Sequence, residues 1–360
     1  MDDQPTLEQL LHQLTEGDMH TSIAAHIQLM KLGEPAVEPL ISIVQNPEKK
    51  ELWWLAADAL GHMGDRRAIE PLIDLLKNPL SFDAILARKY TVWALAKLPD
   101  PKAVDVLIEM LHEVNSIVDD GVIEYEPDIE TISAAISALT EIGDLRALQP
   151  ILDRFLEDDH YWEDGEFLRD WGEPAFNLLL EMLKSDNPTK RDVAAGLVGE
   201  LGNLDAVEPL LETLKTDEDG EVRSSAAYAL GRLGDSRAFD ELLNALNDSN
   251  KHIRLSALYG LAGLQDKRAV EPLLEMLQTY DDQEVRQGVI YTLGQLRDSR
   301  TFNVLVNALD DPKNYIRGLA VEGLAGLKDK RAIESLTQIM NGTVPDLAQK
   351  AKYALEMFKE

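Results

Sequence analysis

One short string recurs ten times along this chain of 360 residues, and its spacing leaves few folds open. It reads Gly64-Asp65-Arg66-Arg67-Ala68, Gly143-Asp144-Leu145-Arg146-Ala147, Gly234-Asp235-Ser236-Arg237-Ala238 and Lys328-Asp329-Lys330-Arg331-Ala332, among others. The period is 31 or 32 residues over most of the chain and stretches to 44 once, between Ala103 and Ala147. Each string reads as a helix stop followed by a helix start. Glycine tolerates the left-handed turn that ends one helix, and the acidic side chain caps the next. Pro39, Pro71, Pro150, Pro209 and Pro272 fall in the first turn of the following helix, where a missing N–H costs little. A short acidic turn then leads to a second helix, as in Glu221-Val222-Arg223-Ser224-Ser225-Ala226-Ala227-Tyr228-Ala229-Leu230. Apolar residues recur at helical spacing in both, and no stretch alternates with period two. A single helix pair cannot bury both of its faces, so neighbours must stack. The expectation is an all-α solenoid of about eleven two-helix repeats.

Composition narrows the function classes. Apolar residues make up 45% of the chain and aromatics 6%, so the core must be built from Leu, Ala, Val and Ile. The formal charge of -30 opposes non-specific binding to nucleic acid or anionic lipid, because each phosphate meets a repulsive field. There is no cysteine, which excludes disulfides, thiolate nucleophiles and Cys-ligated metal. The acidic opening Met1-Asp2-Asp3-Gln4-Pro5 does not read as a signal peptide, and no apolar run reaches the roughly 18 residues of a membrane span. A cytoplasmic protein without membrane insertion is expected.

The pattern Pro-Leu-Leu-x-x-Leu, then Asp, then Val-Arg-x-x-Ala-Ala-x-Ala-Leu-Gly-x-Leu-Gly-Asp resembles the HEAT repeats of the phycobilin-lyase-like subclass. The resemblance spans nearly the whole chain and is strongest from Asp186 to Met340. It implies a right-handed HEAT/ARM-like superhelix whose second helices line the concave surface. The expected organisation is N-terminal repeats over 1–114, an irregular acidic insertion and degenerate repeat over 115–173, and regular repeats over 174–360, within one continuous solenoid. Columns of Arg and Asp at fixed repeat offsets read as ladders that cap helices and tie neighbours together.

If Val222, Ala226, Ala229, Leu230 and Leu233 point inward, the opposite face of that helix centres on Tyr228. The equivalent positions hold Trp93, Tyr259, Tyr291 and Tyr353, an aromatic column in a chain poor in aromatics. Such residues anchor protein interfaces, since they bury much area at little entropic cost. The competing reading is that the rings pack between adjacent second helices and cover a thin alanine core. Trp54, Lys89, Lys97 and Trp93 form a mixed basic and aromatic patch toward the N-terminus. Arg232 and His252 flank the tyrosine stripe. From Glu113 to Glu173 there are 18 acidic and 3 basic residues. Within this stretch, Asp158, Asp159, Trp162, Glu163, Asp164 and Glu166 are the candidate contact for a basic partner. Residues 115–127 read as an acidic loop.

Histidines are scattered, and the His-Glu pairs of the HEAT-fold di-iron hydroxylases are matched only by His112-Glu113, so no metal set, no catalytic residue and no cofactor is expected. The leading expectation is a non-catalytic scaffold or adaptor that binds a protein partner through the concave face. The resemblance implies an alternative, a bilin lyase or isomerase acting on an antenna subunit, with bilin as the bound chromophore. A third reading is an accessory scaffold for metallocofactor assembly. Oligomeric state is not legible.

Overall fold

The computed structural model describes residues 5–77, 85–112, 114–119, 122–127, 129–156, 168–279 and 282–358. It is an α-solenoid of stacked helix pairs, divided into two compact units at about residues 161–172.

The first unit contains α1 (Leu7–Glu16), α2 (Met19–Leu32), α3 (Val37–Val44), α4 (Trp53–Met63), α5 (Ile69–Lys77), α6 (Ile85–Ala96), α7 (Val104–Glu109), α8 (Ile129–Ile142) and α9 (Leu148–Phe155). A four-residue helix, α10 (Leu168–Trp171), lies at the boundary. The second unit contains α11 (Glu173–Met182), α12 (Pro188–Glu200), α13 (Val207–Thr216), α14 (Gly220–Leu233), α15 (Phe239–Ala245) and α16 (Lys251–Leu264). It continues with α17 (Val270–Thr279), α18 (Gln283–Gln295), α19 (Phe302–Ala308), α20 (Asn314–Leu327), α21 (Ile333–Met340) and α22 (Pro345–Glu356). Within each unit every second helix packs on its own first helix and on the second helices before and after it.

The recurring string builds the turn between repeats. The carboxylates of Asp65, Asp144, Asp235, Asp266, Asp298 and Asp329 each accept the N–H of the residue two further on, opening a short 3-10 turn before the first helix. That residue is an arginine in all six, and its guanidinium folds back on the same aspartate. Several then reach the preceding first helix: Arg67 to Glu38 at 3.1 Å, Arg146 to Asp105 at 2.8 Å and Arg300 to Glu271 at 3.1 Å. The guanidinium and backbone N–H of Arg67 and Arg300 hold the Asp65 and Asp298 carboxyls down at about 2. The other arginine column works at the turn between first and second helices. Arg191 grips Asp217 of the next repeat with two nitrogens at 2.7 and 2.8 Å and donates to Ser185 O at 2.9 Å. Arg223 and Arg254 donate likewise to the carbonyls of Asp217 and Asp248. Both columns are therefore ladders.

The helix stop is conformational. Gly64 and Gly234 sit at φ 70° and 66°, where a side chain is strained, and Gln265, Arg297 and Lys328 occupy the same place at φ 56°, 47° and 52°. The second helices approach each other very closely. A Cβ added at Gly231 of α14 meets the Gly260 Cα of α16 at 2.2 Å, and one at Gly61 of α4 meets the Ala94 Cα of α6 at 2.6 Å. Only small residues fit there, which explains an interior rich in fully buried Ala, such as Ala226, Ala229, Ala257 and Ala320.

One expectation fails. The stretched period holds not an acidic loop but a β-hairpin, Val114–Asp119 antiparallel to Val122–Pro127, in register Ser116 with Tyr125 and Val118 with Ile123. Its strands are rich in β-branched residues and flank Asp120-Gly121, the dipeptide that favours tight hairpin turns.

Candidate functional face

The second helices turn one side to their partners and the other to solvent. On that free side the expected stripe is present at α14, α16 and α22: Tyr228 is 45% exposed, Tyr259 39% and Tyr353 58%. Tyr291 of α18 is half-buried, because its ring tilts against Tyr259 with 5.5 Å between centroids. The column thus serves packing at one position and faces solvent at three. Ser224, one turn before Tyr228 on α14, is buried and paired with Ser256 at 2.8 Å. Arg232 binds Glu200 at 2.6 Å and His252 binds Glu221 at 3.0 Å, each tying one second helix to the one before it. Such exposed pairs contribute about 0–1 kcal/mol and exchange readily for a partner's charges. Beside Tyr291, a cleft of about 50 Å³ is lined by Gly294, Gln295, Arg297, Glu322, Gly323 and Gly326. It is too small for a drug-sized ligand.

In the first unit the patch assembles more tightly. Trp54 of α4 and Trp93 of α6 both contact Tyr90, each with 5.2 Å between centroids. Trp54 is half-buried, as are Tyr90 and Trp93, so the rings cover each other while keeping a solvent-facing side. The Lys89 ammonium lies 5.0 Å from the centre of the Trp93 ring and also pairs with Glu130 of α8. Next to the rings, the Asp58 carboxylate lies 3.0 Å from His26 Nε2 and 3.2 Å from His62 Nδ1, and Lys97 Nζ sits 2.8 Å from His62 Nε2. Burial works to raise the Asp58 carboxyl, but the His26 contact and the charges of His62 and Lys97 outweigh it and hold the group below the usual carboxylate range.

Sequence reasoning missed Met19 and Ile23 at the start of this face. Met19, Ile23 and Ile27 lie one helical turn apart on α2 and are 61%, 36% and 43% exposed. Their spacing of four residues was the available signal. Asp158, Asp159, Trp162, Glu163, Asp164 and Glu166 lie outside the described residues. Among the described residues no group of three or more His, Asp or Glu is placed to hold a metal, and no helix is long and apolar enough to cross a membrane.

Comparison with known proteins agrees with this geometry. The family described as HEAT repeats matches residues 37–125, 176–262, 239–325 and 270–356. A HEAT repeat-containing taxis protein of Halobacterium salinarum is 29% identical over 46% of this chain and 35% of its own length. Phycocyanobilin lyase subunit alpha of a Picosynechococcus species is 43% identical over 22% of this chain and 32% of its own length. The bilin biosynthesis protein PecE of a Nostoc species is 29% identical over 44% and 61%. The chain therefore spans about a third to three fifths of the curated relatives it matches. Among solved structures, Kap121p superposes with a TM-score of 0.70 at 13% identity, over 99% of this chain and 46% of that one. Importin beta does so with 0.59 at 13%, over 98% and 57%. At such identities the likeness speaks for the fold alone. The chain belongs to the HEAT-repeat family.

Proposed function

We propose that the protein is a non-catalytic scaffold that binds another protein across the free faces of its second helices. The observation that carries this reading is the exposure of large apolar side chains on the free sides of second helices in each unit. In the first unit Met19, Ile23 and Ile27, and in the second Tyr228, Tyr259 and Tyr353, are all at least a third exposed. Rings and aliphatic side chains in such a row gain by burial, at roughly 25 cal/mol per Å² of apolar surface removed from water. The weak ion pairs beside them supply a polar rim. A basic partner suits the formal charge of -30, and the same charge opposes nucleic acid and anionic membrane. The acidic residues Asp158, Asp159, Glu163 and Asp164 are part of that reading, and the cytoplasm is its setting.

The test is affinity purification with the intact chain, repeated with Trp93 and Tyr259 both changed to serine. A stoichiometric partner retained by the first and lost by the second supports the scaffold. The same partner retained by both refutes it. The second reading, a bilin lyase or bilin carrier, is favoured by the 43% identity to a lyase subunit over 89 residues. Incubation with a bilin and an apo-antenna subunit separates the two. A lyase brings visible absorbance onto the antenna subunit, whereas a scaffold leaves the mixture spectrally unchanged.

A further inference from the structure

The ring cluster of the first unit has a composition that the tyrosine stripe of the second unit lacks. Trp54, Tyr90 and Trp93 stand side by side, and the Trp93 face already carries a cation, the ammonium of Lys89 at 5.0 Å. Two carboxylates border the rings. Asp58 is one helical turn from Trp54 on α4, and Glu130 of α8 pairs with Lys89. Aromatic faces attract cations electrostatically, and carboxylates at their edge add charge and hydrogen-bond acceptors. Residues 1–171 hold 34 acidic and 13 basic side chains, so the surrounding field favours a cation further.

We infer that this cluster is a seat for an arginine side chain on an exposed basic segment of the partner protein, and that Lys89 is its internal stand-in. The inference rests on the scaffold reading and names the chemistry its first unit recognises. A guanidinium is planar, weakly hydrated and able to stack on indole while donating to a carboxylate at its rim. The Lys89 ammonium is compact and strongly hydrated, so it leaves the ring when a guanidinium arrives. Glu130, exposed and freed as Lys89 leaves, accepts from the incoming group.

The experiment is calorimetric titration of the intact protein with a synthetic Gly–Arg repeat peptide and with the same peptide carrying citrulline, which is neutral and nearly isosteric. The arginine peptide binds, and citrulline weakens it about tenfold or more. Trp93→Leu and Trp54→Leu each weaken it about tenfold, with circular dichroism confirming that the helices persist. Lys89→Gln removes the internal competitor and tightens binding about threefold. Lys31→Gln, the same loss of charge at the far end of α2, leaves it nearly unchanged. Equal affinity for the two peptides, or equal effects of Lys89→Gln and Lys31→Gln, overturns the seat. If the arginine peptide fails to bind while a purified partner is still lost on free-face substitution, the seat falls and the scaffold stands. Loss of both sinks both.

Discussion

The two halves of the molecule use the same repeat for different surfaces. Residues 172–360 hold 31 acidic and 22 basic side chains, repeat with little interruption, and display tyrosines whose neighbours are paired ions. The first half is far more acidic, interrupts its repeats with a hairpin, and concentrates all five tryptophans. The residues that build the turns are common to both, as the matching ladders of Asp65 and Asp298 show. What differs is confined to the free face and to the insertion. A solenoid permits this because each repeat contacts only its neighbours, so a surface position changes without disturbing the stack.

The comparison is broken most severely at the close approaches. Gly231→Ala in the second unit and Gly61→Ala in the first each place a methyl group into a neighbouring helix backbone. Both are expected to cost about 1–3 kcal/mol or more in urea unfolding. A large loss in one half and none in the other would show that the halves are not packed alike. Next in size is recognition. Trp93→Ala is expected to weaken the partner complex by at least about 2 kcal/mol, and Tyr228→Ala by about 1 kcal/mol, measured by calorimetry with the purified partner. The reverse order would move the anchor to the second unit.

Acid titration probes what the halves share. The Asp65 and Asp298 carboxyls are depressed to about 2 in the folded chain. Their contribution is therefore complete above the unfolded carboxylate range, near pH 4, and is lost as pH falls toward 2. Asp65→Asn and Asp298→Asn keep the cap acceptor and should flatten this part of the acid-unfolding curve to a similar small extent. The smallest effect is at the helix stops. Lys328→Gly relieves a left-handed lysine at φ 52° and should raise stability by up to about 1 kcal/mol, whereas Gly64→Lys should lower it by a similar amount.

Much of the fold is legible because the repeat uses one residue type for one task. Aspartate caps, arginine laces the turn, and glycine or alanine admits the next helix. The hairpin escaped because its strands mix polar and apolar residues, although Asp120-Gly121 between β-branched runs was the cue. The depth of Tyr291 was hidden as well. A helical wheel places it with Tyr228, but the ring of Tyr259 on the adjacent helix covers it, and a wheel knows nothing of adjacent helices. Met19 and Ile23 belong to a terminal repeat that lacks the recurring string, so their four-residue spacing was the one mark of their face.

The central claim is that the free faces of the second helices bind a protein. Hydroxyl-radical footprinting of the chain alone and with its affinity-purified partner tests it most directly. The account predicts that Met19, Trp54, Trp93, Tyr228 and Tyr259 lose reactivity in the complex while Leu145 and Leu204, exposed at the repeat turns, keep theirs. Protection of the turns with the aromatic faces still reactive would contradict it.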